Sequence, residues 1–377
     1  MKIRSLYFRN GYLGWEVKRI EFQNLNLLVG LSGAGKSQII NALWLLRGIA
    51  VSGQMMNNID WCLEFTIGEK SYEWKGSFGV VHFETSYKIK TESIKNTATN
   101  QKRERRANGL IHIIEPKLEQ NDSTTKSNTP DGLLFQIYSG QDFIKEIIHH
   151  FKMMNLRDHT QSQANSSTDF YRLRFRYDGR RVPTQLDLEG LRNSNYNIAE
   201  RLIIAYYKNK KNDLGYNDIL KEIQSIFPAI EEWAVEEQVS QNNEGWNIAY
   251  KIKIRGQRNF IQHRNIASGM LRTFNIIADL YLSNPETVFL LDEFENSLGH
   301  NCLPNLEELI VSHSFESQFI ITSHHPDIIN KIPQENWMVI QREEDGAITN
   351  IAAQKLPFFK SSHEPYLMLL NHFDKLL

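Results

Sequence analysis

With 377 residues, 41% of them hydrophobic and 23% charged, the chain can bury one large core or two lobes, which excludes a disordered polymer and a small disulfide-stapled fold. Lysine plus arginine (43) nearly balances aspartate plus glutamate (44), so no global field draws in a polyanion and any nucleic-acid contact must come from a local patch. Two distant cysteines, Cys62 and Cys302, a charged opening stretch with no leader and no bilayer-length apolar run predict a protein of the reducing cytoplasm, without a zinc site or a membrane span.

The opening segment alternates as a strand, turns at Asn10-Gly11 and continues as a second strand over 15–22. Next comes the apolar run 25–29, then Gly30-Leu31-Ser32-Gly33-Ala34-Gly35-Lys36-Ser37, then a helix-forming segment from Gln38. Strand, glycine loop and helix in that order make a P-loop. Glycines let backbone N–H groups turn toward phosphate, and the helix presents its positive end to the same anion. Lys36 is predicted to reach the β- and γ-phosphates of ATP, and Ser37 to hold Mg2+. Gly30, Ser32, Gly33, Ala34, Gly35 and Gln38 complete this set of candidate nucleotide contacts.

Strand-like runs follow at 61–67, 71–74 and 80–89, as in a meander. The polar tract 91–108 predicts a mobile loop, and a second polar stretch at 119–131 follows the short strand 110–114. Helical spacing marks 143–154, 197–207 and 216–227, and Pro228 ends the last of these before strands at 233–239 and 246–255. Arg172, Arg174 and Arg176 alternate with apolar and aromatic residues, which suits either a face along a DNA backbone or an ordinary solvated strand. Lys251, Lys253 and Arg255 read as a solvated face, and Lys102, Arg103, Arg105 and Arg106 as solvation of the polar tract.

The apolar run 287–291 ends in Asp292-Glu293, the pattern of a strand buried on both faces with acids at its C-terminal edge. Such a Walker B strand places Asp292 to act on Mg2+ through water and Glu293 to polarise the attacking water. A helix over 304–313 leads to a further buried strand, 318–322, and then Ser323-His324-His325-Pro326, so the unit is βαβ. His324 is predicted to meet the γ-phosphate or catalytic water, and His325 to be structural.

Ala267-Ser268-Gly269 opens a helix between the two nucleotide motifs. With the P-loop, the Asp-Glu strand, Glu295-Asn296-Ser297-Leu298 and Thr322-Ser323-His324, this order resembles ABC-type ATPases of the RecF/SMC and OLD-like branch. The resemblance covers 1–50 and 260–345, 197–230 more loosely, and leaves 90–190 unexplained. It implies an α/β P-loop NTPase with an ABC-type head: a β-rich nucleotide lobe (1–130), a mainly helical insertion with short strands (131–260), and a C-terminal lobe (261–377). It also implies that Ser268 and Gly269 of one copy grip the γ-phosphate held by another, so that ATP is sandwiched in a homodimer or larger homo-oligomer. Asn296 and Ser297 become the loop crossing that interface, and His324 the switch histidine. Ala267 stands where such proteins usually carry serine, and Ser32 where many carry asparagine. Gln136 and Gln141 are the candidates for the lobe-junction glutamine. The residues after His324 lack the acidic cluster of a two-metal nuclease. The chain is in this respect similar to ATPase subunits of anti-phage systems such as Septu-type PtuA, which work with a separate nuclease or toxin. A DNA repair ATPase and an ATP-stabilised scaffold with negligible turnover remain the alternatives.

Overall fold

The computed structural model describes residues 1–79, 89–97, 102–106, 110–114, 123–126, 142–157, 172–173, 186–208, 213–239, 246–356 and 365–374. Strands β1 (Lys2–Asn10) and β2 (Trp15–Glu21) form the opening hairpin, and β3 (Leu25–Val29), buried at every position, runs into helix α1 (Lys36–Ser52). Ile39, Ile40, Leu43, Leu46 and Ile49 give α1 one apolar face, and all are fully buried against the sheet. β4 (Ile59–Ile67) and β5 (Lys70–Phe78) bury alternate residues, as strands with one wet face do.

β6 (Ile89–Asn96), β7 (Lys102–Arg106), β8 (Leu110–Ile114) and β9 (Ser123–Lys126) continue the meander by antiparallel pairing. The polar tract expected to be a loop is therefore largely two strands. Composition concealed the alternation: Glu92, Ile94 and Asn96 are buried while the residues between them face outward, and β5 supplies the backbone partners. The expected strand before it falls mostly on 80–88, outside the described residues.

Along the rest of the chain come α2 (Asp142–Lys152), β10 (Asn155–Arg157), β11 (Arg172–Leu173), α3 (Leu188–Arg192), α4 (Ile198–Lys208), α5 (Tyr216–Ile226), β12 (Ile230–Val239), β13 (Trp246–Ile254), β14 (Ile261–Gln262) and α6 (Ser268–Leu282). β15 (Val288–Leu291), α7 (Leu303–His313), β16 (Gln318–Thr322), α8 (Pro326–Lys331), β17 (Trp337–Arg342), β18 (Ala347–Ala352) and α9 (Pro365–Asp374) complete it. None of the described helices is long and apolar enough to cross a membrane.

The chain divides into two compact units, the first comprising Met1–Leu156, Glu286–Asp292 and Ser314–Leu377, the second Arg157–Pro285 and Glu293–His313. The larger sheet has fourteen strands in the order β10-β15-β16-β3-β17-β18-β2-β1-β4-β5-β6-β7-β8-β9. Its β15-β16-β3-β17 stretch is parallel, whereas β2 to β9 pair antiparallel. The second unit carries a small sheet, β11-β13-β12, with β14 beside β13. An aromatic core holds it: Tyr216 stacks on Trp233 at 5.7 Å, and Trp233 leans on Phe274 of α6 at 5.8 Å.

Candidate functional site

In the first unit, register pairs Leu291 with Ile321 and Thr322 with Leu28, so Asp292, Thr322 and the loop after Val29 emerge at the C-terminal edge of parallel strands. Gly33 and Gly35 take φ of 82° and 105°, the left-handed region that glycine occupies without penalty. Gly30 and Gly35 are also required by space. A Cβ on Gly30 would lie 2.5 Å from the Ile340 carbonyl, and one on Gly35 2.5 Å from the Ile348 side chain. β17 and β18, which no motif signalled, thus form the outer wall of the loop. Gly35 sits at the N-cap of α1 and no side chain caps it, so the helix presents the positive end of its dipole at the loop. Ser32 is exposed at the loop tip, and Ala34 is buried. Lys36 is only 5% exposed, and its Nζ donates to the carbonyls of Gly30 at 2.9 Å and Leu31 at 3.0 Å.

Two hydroxyls converge on the Asp292 carboxylate: Ser37 donates to Oδ1 at 3.1 Å and Thr322 to the same atom at 2.6 Å. This all-oxygen set suits a hard divalent cation such as Mg2+. Gln38 is engaged elsewhere, because its side-chain oxygen accepts from Arg342. The same guanidinium donates to the Gly33 carbonyl and the Gly346 carbonyl, each at 3.0 Å. Arg342 ends a strand outside every motif, so no sequence signal singled it out. His324 is exposed beyond β16, whereas His325 caps α8 by accepting the Asp327 N–H at 3.3 Å, the structural role expected of it.

The second unit gathers the remaining candidates. Ala267 occupies the N-cap of α6 and has no side-chain oxygen to offer, so Ser268 and Gly269 begin that helix with free N–H groups. A Cβ on Gly269 would meet the Ser297 carbonyl at 2.6 Å, so glycine is what lets the helix start approach that loop. Glu293 and Ser297 have φ of 46° and 62°, rare for residues with side chains. The turn between them is braced from two sides. Asn296 donates its backbone N–H to the Glu293 carbonyl at 2.9 Å and its side-chain amide to the Glu293 carboxylate at 3.1 Å. From α6, Arg272 donates to the Glu293 carbonyl at 3.2 Å. Ahead of this helix, burial lowers the pKa of His263, whose Nδ1 accepts the Tyr250 N–H at 3.1 Å.

Over residues 25–330, from β3 into α8, the chain matches the family described as "AAA domain, putative AbiEii toxin, Type IV TA system". The chain belongs to this AAA-domain family. Its fold is that of an SMC-like, ABC-type P-loop ATPase head. The SMC head bound to the C-winged helix domain of ScpA superposes on it with a TM-score of 0.51 at 12% identity, over 93% of this chain and 97% of that one. The SMC head domain from Thermotoga maritima aligns more loosely, with a TM-score of 0.42 at 14% identity over 93% and 99% of the two chains. So does the Smc head with an extended coiled coil, bound to the C-terminal domain of ScpA, from Pyrococcus furiosus, at 0.37, 14% and 99% of each chain. At these identities the likeness concerns the fold alone. Among curated proteins none matches the sequence.

Other candidates of this AAA-domain protein lie elsewhere. Arg174, Arg176, Gln136 and Gln141 fall outside the described residues, and of Arg172 only the backbone, in β11, is described. Lys251 and Lys253 pair across the strands with Glu236 and Glu232, which accounts for that basic face. Cys62, Glu64 and Glu73 converge on β4 and β5. Arg19 grips Glu64 at 2.7 Å and 2.8 Å and Lys75 pairs with Glu73 at 2.8 Å, so ion pairs explain the cluster without a metal.

Proposed function

We propose that this chain is an ABC-type ATPase that binds ATP with Mg2+ at the first unit's loop, dimerises around it, and controls a partner effector, a nuclease or toxin, or DNA, in anti-phage defence in the cytoplasm. The convergence of Ser37 and Thr322 on Asp292, beside an uncapped helix N-terminus, carries the reading. Ser37 and Asp292 would hold Mg2+, whose charge neutralises the phosphates. Lys36, released from its own loop's carbonyls, meets the β- and γ-phosphates, and Glu293, next in the chain after Asp292, polarises water. His324 reports the γ-phosphate, and Ser268, Gly269, Asn296 and Ser297 serve the bound copy. The family description, which names a toxin of a toxin–antitoxin system, agrees with a defence role.

A second reading, a nucleotide-held scaffold with negligible turnover, is favoured by the bond from Asn296 to the Glu293 carboxylate and by the missing hydroxyl at Ala267. Steady-state hydrolysis separates the two. Glu293→Gln is expected to lower turnover about a hundredfold or more and to accumulate an ATP-dependent dimer by light scattering. Equal, negligible rates in both proteins would leave the scaffold standing. Co-purification from the native host with repair proteins, rather than a nuclease or toxin, would overturn the defence role in favour of DNA repair.

A further inference from the structure

We infer that Thr322 is a positioning residue for the cation-binding carboxylate: its hydroxyl decides which oxygen of Asp292 is turned toward Mg2+. This rests on reading the first unit as an MgATP site. Within β16, Phe319, Ile320 and Ile321 are apolar and fully buried, and Thr322, 1% exposed, ends the strand with a hydroxyl. A buried hydroxyl must find a partner. The parallel register makes that partner Asp292, because Leu291 and Ile321 are opposite and each strand advances by one residue.

Both the Thr322 bond of 2.6 Å and the Ser37 bond of 3.1 Å end on Oδ1. A carboxylate oxygen offers two lone pairs, so Oδ1 is saturated by protein donors and Oδ2 is the atom left to face a cation or its water. Ser37 spends its one proton on the same oxygen, leaving its lone pairs for the metal. Each hydroxyl opposes rotation of the carboxylate, and the shorter bond belongs to Thr322. Without it, Ser37 alone holds the carboxylate, whose two oxygens then exchange, and Mg2+ meets a ligand of undefined orientation. Thr322 touches neither nucleotide nor metal in this account and acts only through Asp292.

The test is a Mg2+ titration of the full chain with a fluorescent ATP analogue, repeated in EDTA. Thr322→Val, which keeps shape and removes the hydroxyl, is expected to raise the half-saturating Mg2+ concentration roughly tenfold. Its affinity in EDTA should match wild type, Thr322→Ser should restore the Mg2+ curve, and Thr322→Val should add nothing in an Asp292→Asn background. A Thr322→Val curve that overlays wild type overturns the inference. So does an equal loss in EDTA, or a Thr322→Ser protein as defective as Thr322→Val, since each points to packing and not to the hydroxyl. If valine lowers the melting midpoint, Thr322→Ala carries the same comparison. Wild-type binding indifferent to Mg2+ would instead remove the MgATP reading, and this inference with it.

Discussion

The two units hold their candidate residues in opposite ways. In the first, the left-handed positions of the loop are glycines, Gly33 and Gly35, and Ser37 and Thr322 are tied by hydrogen bonds to Asp292 at the end of a parallel strand. In the second, the left-handed candidates are Glu293 and Ser297, each costing about 1–2 kcal/mol, and the strain is held by Asn296, Arg272 and the close approach of Gly269 to Ser297. The loop of the first unit is preorganised at little conformational expense, and the second unit stores strain in the turn that contains the proposed catalytic glutamate. A binding event that relaxes Asn296 or Arg272 would therefore act on Glu293, whereas Lys36 is held by the carbonyls of its own loop.

That contrast can be broken at its strongest point first. Lys36→Ala is expected to weaken ATP binding between roughly tenfold and a hundredfold, because charge-assisted bonds to phosphate are lost, with the melting midpoint of the nucleotide-free protein little changed. Calorimetric titration alongside thermal unfolding checks both halves of the statement. Gly269→Ala should do the reverse. Forcing Ser297 away from the new methyl is expected to cost about 1–3 kcal/mol of stability and to abolish the ATP-dependent dimer, while nucleotide affinity of the single chain stays at the wild-type value. An unchanged dimer on sedimentation would show that the approach of helix and loop is incidental. Ser297→Gly is the gentlest probe. Relief of its left-handed backbone should raise stability by up to about 1 kcal/mol, net of glycine's entropy, and a lower melting midpoint would mean that Ser297 is not strained at all.

Local pattern made much of this readable beforehand. The P-loop needs a strand before it and a helix after it, and the mainly apolar runs 25–29 and 287–291 announce strands buried on both faces, where β3 and β15 lie. What escaped reading depends on contacts between distant positions. β6 and β7 are polar in composition yet paired in register, so average polarity could not reveal them. Arg342 meets Gly33 and Gln38 from more than three hundred residues away, and the partner of Thr322 is set by the register of two strands separated by α7. The Asn296 bond to Glu293 needs a left-handed residue at a position where sequence favours none.

Arg342 and the two strands around it carry a consequence for where this protein ends as a working object. The family match closes at residue 330, yet the carbonyl of Ile340, the side chain of Ile348 and the guanidinium of Arg342 are what press the phosphate loop into shape from outside. A fragment stopped at that boundary would keep every recognisable motif and lose its mould. The recognisable letters are the casting, and the last strands are the die.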